Sequence, residues 1–308
     1  MTTAITESFV HPALFYRGAE EYVDGTVPFV RAGLEAGEPV AVAIPRPKLD
    51  ILREALGGAA RDVSFIDMTQ AGRNPGRIIP RVLRAFADSH PKTRVRIIGE
   101  PIWPERTGPE YPACAQHEAL INSAFEGRDA TILCPYDAEG LGEQVLTDAY
   151  ATHPVVISRG RQQRSRSYAP DQVVERYNEP LTAAEAAEGY VFGADELPMA
   201  RYFVVERAER FGLSGVRLED LALCVAELTT NSVVHGGGTG TVRVWAEGGQ
   251  VLCEVRDKGY LKDPLAGRRP PPPGQLGGRG LLLVHCLADL VRVHTAPEGT
   301  VVRCHMDC

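Results

Sequence analysis

Val225-Ala226-Glu227-Leu228-Thr229-Thr230-Asn231-Ser232-Val233-Val234-His235 decides the reading of the C-terminal half. Glu227, Asn231 and His235 are each four residues apart. On a helix turning about 100° per residue the row drifts by only about 40° per step, so the three share one stripe. Leu221, Cys224, Val225 and Leu228 fall on the other side and predict a core face. An amide oxygen is a hard ligand suited to Mg²⁺, and a carboxylate one turn earlier can orient a hydroxyl for attack on a phosphoryl group. By itself the spacing also fits a plain polar helix face.

Downstream residues change that balance. Val255-Arg256-Asp257-Lys258-Gly259 puts an acid and a glycine at the end of an apolar run. A buried Asp can accept from an exocyclic amino group, and Gly259 lets the backbone approach a ring. Gly277-Gly278-Arg279-Gly280-Leu281 is a glycine cluster opening a helical run. Its N–H groups and the helix dipole suit phosphate, with a simple helix cap as the alternative. Gly299-Thr300, in a turn between two strand-like runs, offers a hydroxyl to complete a base pocket.

In this order, each on the element its chemistry wants, the four signals resemble the ATP-binding module of the GHKL (HATPase_c) superfamily: an N box, an Asp-x-Gly box, a Gly-x-Gly box and a final Gly-Thr. The resemblance covers roughly Leu181–Cys308 and is most similar to the anti-sigma-factor serine kinases of the RsbW type. It implies a Bergerat-type α+β ATP-binding sandwich with ATP or ADP and Mg²⁺ as cofactors. By the same resemblance Glu227 is the base at the serine hydroxyl, Asn231 the Mg²⁺ ligand and Asp257 the contact to the adenine amino group. Gly259, Gly278, Gly280 and Thr300 shape the pocket, with His235, Arg279 and Leu281 beside it. His235 serves equally well as a helix-capping cation. The loop Leu261–Gly277 departs from the pattern, because Pro270-Pro271-Pro272-Pro273 predicts stiff polyproline II rather than a supple lid.

The elements expected here are helices over Glu196–Phe211, Leu218–His235 and Gly280–Ala288, and strands over Thr241–Ala246, Val251–Asp257, Leu290–Thr295 and Val301–His305. Together they predict a mixed sheet with helices on one face. A short Ala/Glu helix, Ala183–Glu188, is expected before them.

The N-terminal half alternates strand-like and helical runs. Pro39–Ile44, Val63–Met68, Val95–Ile98, Ala130–Cys134 and Pro154–Ile157 are short apolar runs bounded by Gly, Pro or charge, as buried parallel strands are. Helical patterns over Ala19–Ala36, Lys48–Leu56, Ile78–Ser89, Tyr111–Glu126 and Leu141–Ala149 separate them. An open, mostly parallel α/β sheet follows. With no G-x-x-x-x-G-K-[ST] run, a P-loop is excluded.

The opening His11-Pro12-Ala13-Leu14-Phe15-Tyr16 and the segment Gly99-Glu100-Pro101-Ile102-Trp103-Pro104 resemble the MEDS sensory domain. That resemblance implies a RecA-like sheet with a sensory role and a small-molecule ligand. Ligands of open α/β sheets gather at the carboxyl ends of the strands, which makes Glu100, Trp103, Glu118 and Tyr136 the candidate pocket residues. Each is also an ordinary choice for a capped loop or a packed core. Cys134 is a candidate redox group, although nothing near it in sequence lowers its pKa.

Composition sets the frame. The chain has 308 residues and a net charge of −7, with 44% hydrophobic and 24% charged residues. This suits two globular domains and disfavours direct nucleic-acid or anionic-membrane binding. The seven cysteines include no C-x-x-C pair and read as reduced packing residues. No apolar run reaches membrane-spanning length, and Met1–Phe9 lacks the basic and apolar regions of a signal peptide, so a cytoplasmic protein is expected. The expected domains are a sensory unit over 1–160, a basic linker over 161–185 and the ATP-binding unit over 186–308.

The expected activity is phosphorylation of Ser/Thr on an anti-sigma-factor antagonist of the STAS type, controlling a sigma factor. Homodimerisation, common among such relatives, carries over as an expectation. A non-catalytic, nucleotide-gated binding module and a sensor histidine kinase are the alternatives, the latter lacking a phosphoacceptor helix around His117-Glu118.

Overall fold

Apolar runs bounded by Gly, Pro and charge become the strands of a first unit, Met1–Tyr177, and a second unit spans Asn178–Cys308. The computed structural model describes residues 8–270 and 278–308.

In the first unit, β1 (Phe9–Val10), β2 (Pro12–Tyr16), β3 (Val40–Ile44), β4 (Val63–Asp67), β5 (Val95–Gly99), β6 (Ala130–Asp137), β7 (Val155–Ser158) and β8 (Arg161–Arg164) share one sheet. Its order is β4-β3-β5-β6-β2-β7-β8, with β1 also pairing β6. Every pairing is parallel except β7 with β8. β2, absent from the expected strands, lies between β6 and β7. β1 and β2 run along β6 in one register, with Phe9 opposite Ala130 and Ala13 opposite Cys134, so His11 stands at a one-residue break in a continuous line.

The helices are α1 (Gly18–Glu35), α2 (Arg46–Leu56), α3 (Met68–Ala71), α4 (Arg84–Asp88), α5 (Tyr111–Ala124), α6 (Glu143–Thr152) and α7 (Pro170–Arg176). α1 and α2 bury Tyr22, Val30, Leu49 and Leu52 against Leu14, Val42 and Ile98 of the sheet. α5 is buried along almost its whole length. The helix expected over Ile78–Ser89 begins as a π-helical turn, Ile79–Leu83, at Pro80, which has no N–H to give to an α-helical ladder.

Residues 161–185 are not a free linker. Arg161–Arg164 is an edge strand with all four side chains exposed, the kind of charged edge that discourages pairing with another sheet. α7 packs Val173 and Tyr177 against Ala115 and Ala119 of α5. Buried Asp148 anchors it, accepting from Tyr111 Oη at 2.7 Å, Arg176 Nη1 at 2.7 Å, Gln144 Nε2 at 3.0 Å and the Tyr177 hydroxyl.

In the second unit, β9 (Glu188–Phe192), β10 (Gly240–Glu247), β11 (Gln250–Asp257), β12 (Leu290–Ala296) and β13 (Gly299–Asp307) form a sheet in the order β12-β13-β11-β10-β9. It is antiparallel throughout rather than mixed. α8 (Leu197–Arg210), α9 (Gly215–His235) and α10 (Gly280–Leu287) share one apolar core with it, including Val204, Leu221, Val225, Val244, Cys253, Val284 and Cys304. Gly248 and Gly249, both at positive φ, make the two-residue turn between β10 and β11. The helix expected over Ala183–Glu188 does not form. Glu188 instead opens β9, where pairing with β10 satisfies its backbone.

Candidate nucleotide site and a buried polar cluster

α9 and α10 meet at Gly280. A methyl group placed on Gly280 would strike the Glu227 carboxylate and come within 3.4 Å of Asn231 Nδ2. A larger residue here would push the Glu227 carboxylate aside. The first turn of α10, with its free N–H groups and positive partial charge, therefore faces a carboxylate and an amide. Between such groups a phosphate and a divalent cation can be held together.

A second cluster lies where β11 ends. Asp257 Oδ2 accepts from Ser232 Oγ at 2.6 Å, and Oδ1 accepts from the Gly259 N–H at 2.7 Å. Both bonds fix the carboxylate plane, and each oxygen keeps a lone pair for a ligand. Gly259 is held close, since a Cβ there would lie 2.8 Å from the His235 carbonyl and 3.0 Å from Asp257 Oδ1. Thr300, paired with Asp257 across β11 and β13, donates to the Gly259 carbonyl at 2.8 Å. Thr295 donates to Thr300 at 2.8 Å and accepts from the Leu261 N–H at 2.9 Å.

The structure thus joins Glu227, Asn231 and Gly280 in one group, and Asp257, Gly259 and Thr300 in another. His235 ends α9 with an exposed side chain. Gly278, at φ +77°, and Arg279 are exposed just before α10. Leu281 is half-buried and packs on Gly267. Pro271, Pro272 and Pro273 lie outside the described residues, and the expected polyproline lid with them. Ser232 and Thr295 were not among the sequence candidates, because nothing in a Ser or Thr within an amphipathic run marks it as an orienting group.

In the first unit the four sensory candidates separate into three places. Glu118 and Tyr136 lie around His153: Glu118 Oε2 is 3.0 Å from His153 Nε2, and the Tyr136 ring sits edge-on to that imidazole at 5.5 Å. His11 and Cys134 complete this fully buried group, with His11 Nε2 3.3 Å from Cys134 Sγ and 3.5 Å from Glu118 Oε2. Burial, with the neighbouring His153, pushes the His11 imidazole down to about 4. Burial also pushes the Cys134 thiol well up, which argues against a reactive redox thiolate.

Glu100 pairs with Lys48, whose ammonium also donates to Tyr16 Oη at 2.5 Å and lies over the Tyr16 and Tyr22 rings. Burial raises the Glu100 carboxyl to about 7 even though Lys48 opposes the shift. Trp103 is half-buried beneath the Arg106 guanidinium, 3.9 Å from its ring. His11 and His153 are the residues that sequence reasoning missed. The first stood in a quoted motif without a role, and the second is an isolated histidine whose only signal is its place before a strand.

Two family models match the chain: the MEDS (methanogen/methylotroph, DcmR sensory) domain over residues 10–154, and the histidine kinase-like ATPase domain over 193–306. The chain joins a MEDS sensory domain to a histidine kinase-like ATPase domain. The buried His11–Glu118–Cys134–His153 group lies wholly within the MEDS match, and the Glu227–Asn231–Gly280 and Asp257–Gly259–Thr300 groups within the ATPase match. No curated protein sequence is significantly similar to the chain. Among solved structures, that of the RsbU and RsbW domains of Rv1364c from Mycobacterium tuberculosis is 16% identical, with a TM-score of 0.29, over 39% of this chain and 32% of that one. The chain thus matches about a third of that protein's length, a likeness too slight to bear on function. Among the described residues, no helix is long and apolar enough to cross a membrane.

Proposed function

We propose that the ATPase domain binds ATP with Mg²⁺ and phosphorylates a serine or threonine on an anti-sigma-factor antagonist of the STAS type. In this reading a signal at the MEDS domain controls the availability of a sigma factor in the cytoplasm. The supporting observation is that the first turn of α10, at Gly280, comes close to the Glu227 carboxylate and the Asn231 amide.

The residues present fit the nucleotide. The free lone pairs of Asp257 suit an exocyclic amino group, and Gly259 with Thr300 forms the close floor beside it. Asn231 would hold Mg²⁺, and the N–H groups at Gly278–Gly280 would take the phosphates. Bound Mg²⁺·ATP supplies the phosphoryl group and neutralises charge as it transfers. Glu227 accepts the proton of the attacking hydroxyl, and the short reach across Gly280 keeps its carboxylate at the phosphate end of the site.

Calorimetric titration of Mg²⁺·ADP into the wild type and Asp257→Asn tests the pocket. Binding lost in the variant is expected, whereas a wild type that does not bind would end the kinase reading. Glu227→Ala then separates the alternatives. If partner control survives in that variant with nucleotide binding intact, the domain is a nucleotide-gated binding module. Acid-labile phosphate on the chain itself would instead favour a histidine kinase.

A further inference from the structure

Four ligand-type side chains from four elements converge inside the MEDS domain: His11 at the break between β1 and β2, Glu118 on α5, Cys134 on β6 and His153 at the end of α6. All four are buried, and their ligating atoms lie within 4.8 Å of one another. We propose that these residues bind a single divalent transition-metal ion of the zinc type through His11 Nε2, His153 Nε2, Cys134 Sγ and a Glu118 oxygen.

The hydrogen bonds around the group fix which atoms face inward. Asn122 Nδ2 donates to the Ala119 and Thr152 carbonyls, at 3.0 and 2.8 Å, so its Oδ1 is the atom turned to His11. His11 Nδ1 must donate to that oxygen, at 3.2 Å. His153 Nδ1 likewise donates to the Ala149 carbonyl at 2.9 Å. A neutral imidazole that donates from Nδ1 carries a lone pair on Nε2, and both Nε2 atoms point into the group. Metal-ligating histidines are held in this way, with the outer nitrogen bonded to a carbonyl-type oxygen.

Two imidazole lone pairs, a carboxylate and a thiol therefore face one another, with the single thiol proton to share. Glu118 Oε2 lies 3.0 Å from His153 Nε2 and 3.5 Å from His11 Nε2, yet neither Glu118 oxygen nor His153 Nε2 makes a well-aligned hydrogen bond. Buried acceptors in such number are costly unless a cation sits among them. A divalent ion removes that cost: it displaces the Cys134 proton to solvent, and its two charges balance one thiolate and one carboxylate, leaving a neutral centre.

Three of the spacings lie near those of a tetrahedral site, within a set whose ligand atoms span up to 4.8 Å. With Zn–N and Zn–O near 2.0–2.2 Å and Zn–S near 2.3 Å, the edges of a tetrahedral site are about 3.3–3.6 Å. The observed separations are 3.0 Å between His153 Nε2 and Glu118 Oε2, 3.3 Å between His11 Nε2 and Cys134 Sγ, and 3.5 Å between His11 Nε2 and Glu118 Oε2. Four protein ligands close the coordination sphere, as in structural rather than hydrolytic sites. The ion would pin the break between β1 and β2 to the middle of the sheet.

The group is sealed, so the ion should enter as the chain folds. The full chain is therefore produced in medium supplemented with Zn²⁺ or with Co²⁺, desalted, and assayed for metal by elemental analysis. About one ion per chain is expected. The cobalt form should show a thiolate-to-cobalt charge-transfer band and the intense visible bands of a four-coordinate ion. Cys134→Ser, nearly isosteric, should lose the charge-transfer band, and Glu118→Gln should lose most of the metal. Cys308→Ser, which removes an exposed thiol, should change neither. A wild-type chain that carries no metal from either medium overturns the proposal. So does a charge-transfer band that persists in Cys134→Ser and disappears in Cys308→Ser.

Discussion

Ser232 on α9 donates a 2.6 Å hydrogen bond to Asp257 at the end of β11, tying the helix that carries Glu227 and Asn231 to the strand that ends in the acid proposed to recognise the nucleotide. With the Gly259 N–H, this hydroxyl sets the carboxylate plane on which the proposed base recognition depends. Ser232→Ala is expected to weaken Mg²⁺·ADP binding about tenfold, since a hydrogen bond to a charged group contributes roughly 1.5–3 kcal/mol. Calorimetry on the variant, whose α9 loses no packing volume beyond one oxygen, reads this directly.

Gly280→Ala tests the other end of the site. The added methyl meets the tip of the flexible Glu227 side chain, which can swing away, so the fold should survive. The displaced carboxylate then no longer reaches the attacking hydroxyl. Phosphotransfer is expected to fall about a hundredfold, as for loss of a general base, with a much smaller change in nucleotide affinity. Single-turnover assays beside calorimetry separate the two; equal losses in both would show that the methyl blocks the phosphates instead.

Asp148 is 3% exposed and gathers Tyr111, Gln144, Arg176 and Tyr177. Removing it strands the Tyr111 and Tyr177 hydroxyls and frees α7 from α5. Asp148→Ala should lower the stability of the MEDS domain by about 3 kcal/mol, as when one partner of a buried network is removed. A drop in the urea midpoint, with early proteolytic cleavage near α7, is the expected record.

Glu100 gives a pH signature. Its carboxyl is raised from the ordinary 4.5 to about 7, mainly by burial, so between these values the folded chain holds a proton that the unfolded chain has released. Stability from this group is therefore fully present below about pH 4.5 and is lost as pH rises towards 7, by about 3 kcal/mol in all. His11, lowered from 6.5 to about 4, acts in the opposite sense over an overlapping window, since the unfolded chain takes up the proton there. The Glu100 part is isolated as the difference between wild type and Glu100→Gln in urea midpoints at pH 5 and pH 8. The wild type should lose ground relative to the variant at the higher pH. Parallel pH profiles would mean that Lys48 keeps Glu100 charged throughout.

What the sequence determined by itself is local and periodic. Four-residue spacing placed Glu227 and Asn231 on one stripe, and glycines at 259 and 280 marked two places where the structure brings neighbours close. Short apolar runs between charged helices announced a mostly parallel sheet. These signals survive in one dimension because helix and strand periods are properties of the backbone. Tertiary structure alone decided the rest. It turned the basic run Arg161–Arg164 into an edge strand, since the partner that makes it one, β7, is recognised by pairing rather than composition. It brought Ser232 to Asp257, 25 residues away. It also gathered His11, Glu118, Cys134 and His153, far apart in the chain, because parallel strands and their crossover helices bring distant residues together inside a sheet's core.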